Sequence, residues 1–134
     1  MRGYMIEHKV ALSDEAEVFT LQMPSAAKRS AVFTGLSVYA SVECEVTLER
    51  DGTLATTTGK QPIPLNSEDE WGDVDAYYSS NVGAGKTLAR HVIPAGSTLS
   101  LELVNKGLQP GKNLTVRTAD ITGTVIINAQ WGEY

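Results

Sequence analysis

Cysteine occurs once in this chain of 134 residues, at Cys44, so no internal disulfide forms and a secreted, disulfide-stapled fold is excluded. Positive charge is also scarce. Eleven Lys and Arg stand against sixteen Asp and Glu, a net charge of −5. Affinity for a nucleic-acid backbone comes largely from Lys and Arg, and the densest basic pair is only Lys28-Arg29, so no nucleic-acid partner is expected. No apolar run approaches the roughly eighteen residues a membrane span needs, and no membrane partner is expected. The first residues, Met1 to His8, lack an apolar stretch of signal-peptide length. The expectation is a mature protein that begins close to Met1 and folds in a cytoplasm. Histidine occurs only at His8 and His91, a poor zinc set, and neither lies beside a Ser or Cys in a nucleophile motif. Sustained helical periodicity is missing throughout.

What the chain does have is alternation. From Leu36 to Leu48, Leu36, Val38, Ala40, Val42, Cys44, Val46 and Leu48 share one side, while Ser37, Tyr39, Ser41, Glu43, Glu45 and Thr47 share the other. Successive strand side chains face opposite sides of a sheet, so this reads as one long strand with a dry face and a wet face. On that reading a charge at Val42 is far worse than one at Ser41, and Cys44 is a small core residue. Gly35 marks a bulge or bend at its start. Asp51-Gly52 reads as a hairpin turn into a strand from Leu54 to Thr58. Further strands are expected near 18–23, 76–80, 88–93, 98–103, 114–118 and 123–131. The last of these turns Val125, Ile127, Ala129 and Trp131 inward.

Eight or nine strands punctuated by Gly and Pro indicate an all-β fold, an antiparallel two-sheet β-sandwich. A jelly-roll-like order is favoured over an immunoglobulin-like sandwich, whose Cys-Trp-Cys hallmark is missing. At 42% hydrophobic the chain suits a single domain, with residues 18–134 as its body and residues 1–17 as an N-terminal arm or edge strand.

Several segments invite a functional reading. Val82-Gly83-Ala84-Gly85-Lys86-Thr87 approaches a phosphate loop, but Ser80 stands where the first glycine belongs, and no helix follows. It reads as an inter-strand loop. Glu68, Asp69, Glu70, Asp73 and Asp75 crowd one segment without calcium-loop spacing, and read as a solvated acidic loop, with one helical turn capped by Ser67 and Glu70. Paired carboxylates there do not establish a glycosidase cleft. No catalytic residue, metal or cofactor is therefore expected. Trp71 within the acidic segment either folds back on the sandwich or anchors a partner, and Trp71, Tyr77 and Tyr78 together form a candidate sugar-stacking platform.

Three phrases in the second half carry a resemblance: Val92 to Leu101, Asn113 to Arg117, and Gly123 to Trp131. In strand rhythm and turn phrasing, residues 30–134 resemble the small jelly-roll virion proteins of tailed bacteriophages, most closely capsid decoration (cement) proteins. The resemblance implies a non-enzymatic, symmetric oligomer, often a trimer. It would dock on the major capsid protein at the outer shell surface, with an N-terminal segment gripping neighbouring subunits. Tyr4, Met5, Ile6 and His8 are then expected partner contacts, beside Trp71, Tyr77 and Tyr78. Deletion of residues 1–12 is expected to abolish docking and leave a folded sandwich. The other function class is a carbohydrate-binding or adhesin module of a phage tail or cell-surface assembly.

Overall fold

The computed structural model describes residues 2–66, 71–83, 85–101 and 107–134, with the backbone course alone at 55–57 and 79–82. Twelve strands follow in chain order: β1 (Arg2–Glu15), β2 (Val18–Gln22), β3 (Ala31–Ala40), β4 (Cys44–Arg50), β5 (Thr53–Lys60), β6 (Ile63–Pro64), β7 (Asp75–Gly83), β8 (Lys86–Ile93), β9 (Ser97–Ser100), β10 (Gly107–Leu108), β11 (Asn113–Thr118) and β12 (Ile121–Glu133). They form two antiparallel sheets, ordered β10-β3-β12-β1-β6 with β9 also beside β3, and β5-β7-β2-β11-β4-β8. The pairing is nested: β1 with β12, β2 with β11, β3 with β9 and β10, β4 with β8. First meets last and each of these pairs encloses the next, within a two-sheet antiparallel sandwich. β5, β6 and β7 are an insertion between β4 and β8.

The core lies between the sheets. β12 buries Val125, Ile127, Ala129 and Trp131, the parity its alternation dictates. Trp131 stacks against Tyr4 at 6.3 Å and meets the Phe33 ring edge-on at 6.1 Å. Thr34 is the extra residue of a bulge beside Gly35, where β3 slips one position against Gln130 and Trp131. The bulge explains why Phe33 and Leu36, at odd spacing, both point inward.

The expected long strand through 36–48 is two strands. β3 ends at Ala40, the chain bends through residues 41–43, and β4 begins at Cys44 in the other sheet. Alternation survives because both sheets face the same core, so a crossing between them keeps its inward parity. Val42 is only half-buried at this corner, while Ser41 Oγ accepts the Thr124 N–H at 2.8 Å. Both residues are half-buried, so burial alone does not separate a charge at Val42 from one at Ser41. The Asp51-Gly52 hairpin is likewise corrected. Asp51 has positive φ (61°), as such a turn requires, but β4 and β5 do not pair with each other. Instead the chain passes the start of β11, where Asn113 bonds Asp51 and Gly52 through backbone and side chain, and β5 goes on to pair with β7.

Residues 2–15 are a strand registered along β12 from Arg2↔Glu133 to Glu15↔Ile121. Tyr4, Ile6, His8 and Leu12 are all buried, so residues 2–12 are part of the sandwich, and the deletion of residues 1–12 would remove core side chains rather than a separate arm. Cys44 is buried as expected. Burial pushes its thiol up, with Glu45 adding to the shift and the Ala119 backbone opposing it. The native protein at pH 8 is expected to resist a chromogenic disulfide reagent, and to release one equivalent only after denaturation.

Candidate functional site

The parity that buries Trp131 also carries Glu133 inward at the end of β12, where it is 2% exposed. A buried carboxylate is costly unless it is fully bonded. Glu133 Oε1 accepts the Asp73 N–H at 2.6 Å. Oε2 accepts from Trp131 Nε1 at 3.1 Å and, more weakly, from Val74 N at 3.4 Å. Arg29 approaches Asp73 Oδ2 at 3.5 Å and Glu133 Oε1 at 3.9 Å. Burial alone would lower the Arg29 pKa. A side-chain hydrogen bond with Tyr4 and the carboxylates of Asp73 and Glu133 outweigh it, and the guanidinium sits above its ordinary value. Gly72 passes so close that a Cβ there would run into Glu133 Oε2 and lie 2.9 Å from Tyr4 Cζ. The result is a clamp that pins residues 72–74 onto the sandwich.

The described residues between β5 and β7 include exposed apolar side chains. Ile63 is 57%, Leu65 56% and Trp71 63% exposed. Ile63 pairs across from Met5, and Leu65 bonds its N–H to the Gly3 carbonyl and rests its side chain over Gly3. Pro62 and Val74 are buried and anchor the two ends of this segment. Tyr134, 63% exposed, follows Glu133 and exchanges backbone hydrogen bonds with Ser30.

A second locus lies along β1. His8, inward and buried, places Nε2 3.1 Å from Glu17 Oε2, and Glu17 Oε1 accepts the Val18 N–H at 3.0 Å. The imidazole is held between Phe19, at 5.3 Å, and Tyr78, at 4.8 Å between ring centroids.

The expected site residues therefore separate. Tyr4, Ile6 and His8 are buried within the subunit, and Met5 is half-buried on the opposite face of β1. They present no shared partner surface. Trp71 does not fold back. Tyr77 and Tyr78 are neighbours on β7 and point to opposite faces, Tyr78 onto His8 and Tyr77 toward Asp75, 3.5 Å from its Oδ2. The three aromatics do not make a platform. Burial raises the pKa of both Asp75 and Tyr77. The hydrogen bond between them opposes the shift at Asp75 and adds to it at Tyr77. Glu68, Asp69, Glu70 and the Ser67-capped turn lie outside the described residues. Among the described residues no group of three or more His, Cys, Asp or Glu converges as a metal site. Gly85 in the phosphate-loop-like segment gives its N–H to Glu49 Oε1 at 3.1 Å.

Sequence reasoning missed Glu133, Arg29 and Glu17. Glu133 had a signal, since a charged residue two places beyond inward Trp131 must point inward on a continuing strand. Arg29 and Glu17 had none, because both sit in irregular connections. Comparison of the chain with family models, with curated proteins and with solved structures finds no match.

Proposed function

We propose that the chain is a non-enzymatic structural virion protein, a capsid decoration (cement) protein of a tailed bacteriophage. It would bind the major capsid protein on the outer shell as an oligomer, trimer favoured, and stabilise the shell by added buried area. The observation that supports this reading is the set of exposed apolar side chains Ile63, Leu65 and Trp71, beside backbone bonded to the sandwich at Met5, Gly3 and Glu133. Exposed apolar side chains on a fixed backbone lose little entropy on docking, and tryptophan is enriched among residues that dominate interfaces. Light scattering is expected to give a multiple of the 14.4 kDa chain mass, three for a trimer. Co-sedimentation with expanded phage shells is expected to be saturable. Trp71→Ala leaves the fold intact, because the ring is exposed, and weakens docking by about 2 kcal/mol, roughly thirtyfold. A monomer that stays in the supernatant, or a Trp71→Ala variant that docks like wild type, overturns the reading.

A further inference from the structure

Among the described residues, β1 is paired on its outer side by β6 at Tyr4 and Met5, with Leu65 bonding Gly3, so from Ile6 onward it is the edge of its sheet. β5 and β7 of the other sheet face it across the sandwich. Lys60 on β5 spans this seam and donates from Nζ to the Glu7 carbonyl. Beside that strut is a cavity of about 280 Å³, lined by His8, Lys9, Gly59, Lys60 and Tyr78. We propose that this seam cavity binds a uronate, a six-membered sugar ring carrying one carboxylate.

Three features carry the assignment. Lys9 and Lys60 both line one small opening of a chain whose net charge is −5, and the Lys60 ammonium is fixed at the seam by the Glu7 carbonyl. An anion taken up here is held by local geometry rather than by the overall field, which repels it. An ammonium has three donors, and the Glu7 carbonyl takes one from Lys60, leaving two for a carboxylate. The floor is fixed rather than adaptable. His8 is 4% exposed, bonded to Glu17 and held between two rings, and Glu17 is itself occupied by the Val18 N–H. Gly59 contributes no side chain, and the half-buried Tyr78, whose ring packs on His8, also lines the opening and supplies apolar surface suited to a pyranose. The volume lies just below the range of drug-sized sites and has room for one ring. The clamp beside Trp71 shares no residue with this cavity, so uronate binding is independent of capsid docking.

The test is an amide chemical-shift titration of the full chain with sodium glucuronate, glucose and sodium acetate in turn. Glucuronate is expected to give saturable shifts confined to residues 8–9, 59–60 and 78. Glucose, without the charge, and acetate, without the ring, bind at least tenfold more weakly. Lys60→Gln weakens glucuronate binding about tenfold through loss of a charge-assisted hydrogen bond. Lys9→Gln, on an exposed side chain that leaves the seam strut in place, weakens it several-fold. A flat glucuronate titration overturns the proposal, as does acetate binding as tightly as glucuronate. Unchanged affinity in both lysine variants does the same.

Discussion

Glu133→Ala is expected to lower the unfolding free energy by about 3 kcal/mol, read as a shift of the urea midpoint by far-ultraviolet circular dichroism. Two costs have to be separated. The Trp131 indole N–H is buried with Glu133 Oε2 as its acceptor, and leaving such a donor unpaired costs about 1–3 kcal/mol. The Arg29 side chain keeps 26% of its surface in water and can hydrate when its partner is lost, so the ion pair adds little. Arg29→Ala should accordingly cost only about 1 kcal/mol. The buried indole decides the magnitude, not the charge pair. Glu133→Gln, which retains one acceptor oxygen, falls between the two. Glu133→Ala also releases the Asp73 and Val74 N–H groups, so hydrogen exchange at these amides should accelerate beyond the global change. If Glu133→Ala unfolds at the wild-type urea concentration, the clamp contributes nothing to the fold.

This clamp also shows where the sequence stops being legible. Period-two alternation identified the sheets and predicted the inward face of β12 residue by residue, because burial on one face of a strand leaves a direct mark on composition. It could not tell one strand from two. β3 and β4 lie in different sheets, yet both turn the same parity toward a shared core, so Leu36 to Leu48 reads unbroken across the corner at residues 41–43. Nor could it tell a hairpin from a crossing. Asp51-Gly52 supplies the positive φ either one needs, and only Asn113, distant in sequence, determines which forms.

The candidate site was less legible for a related reason. Tyr4, Ile6 and His8 read as arm contacts because residues 1–17 mix apolar and charged types, but within β1 the mixture comes from a strand with a buried face and an open one. Trp71 is exposed beside Gly72, which meets Glu133 and Tyr4 from three segments. Contacts of that kind leave no local pattern. The seam cavity is built the same way, from β1, β5 and β7, with no motif in any of them.

Gly85→Ala is expected to cost about 3 kcal/mol, at the upper end of overpacking effects. Gly85 lies where the chain passes the β4–β5 connection. A Cβ there would overlap the Arg50 carbonyl oxygen and sit 2.6 Å from the Gly52 nitrogen, both backbone atoms that cannot swing aside. Relief requires separating Gly85 from Arg50 and Gly52. That movement would also strain the Gly85 N–H bond to Glu49, whose buried carboxylate is otherwise held by Arg117 Nε at 2.7 Å. Gly83→Ala is the control from the same loop. Its Cβ would meet Thr53 atoms no closer than 3.6 Å, an ordinary contact, so the change should stay within about 0.5 kcal/mol. A large loss at 85 and almost none at 83 would show that the phosphate-loop-like glycine answers to backbone crowding. If ATP or inorganic phosphate protected the wild type against urea and failed to protect Gly85→Ala, a phosphate-binding role would have to be restored.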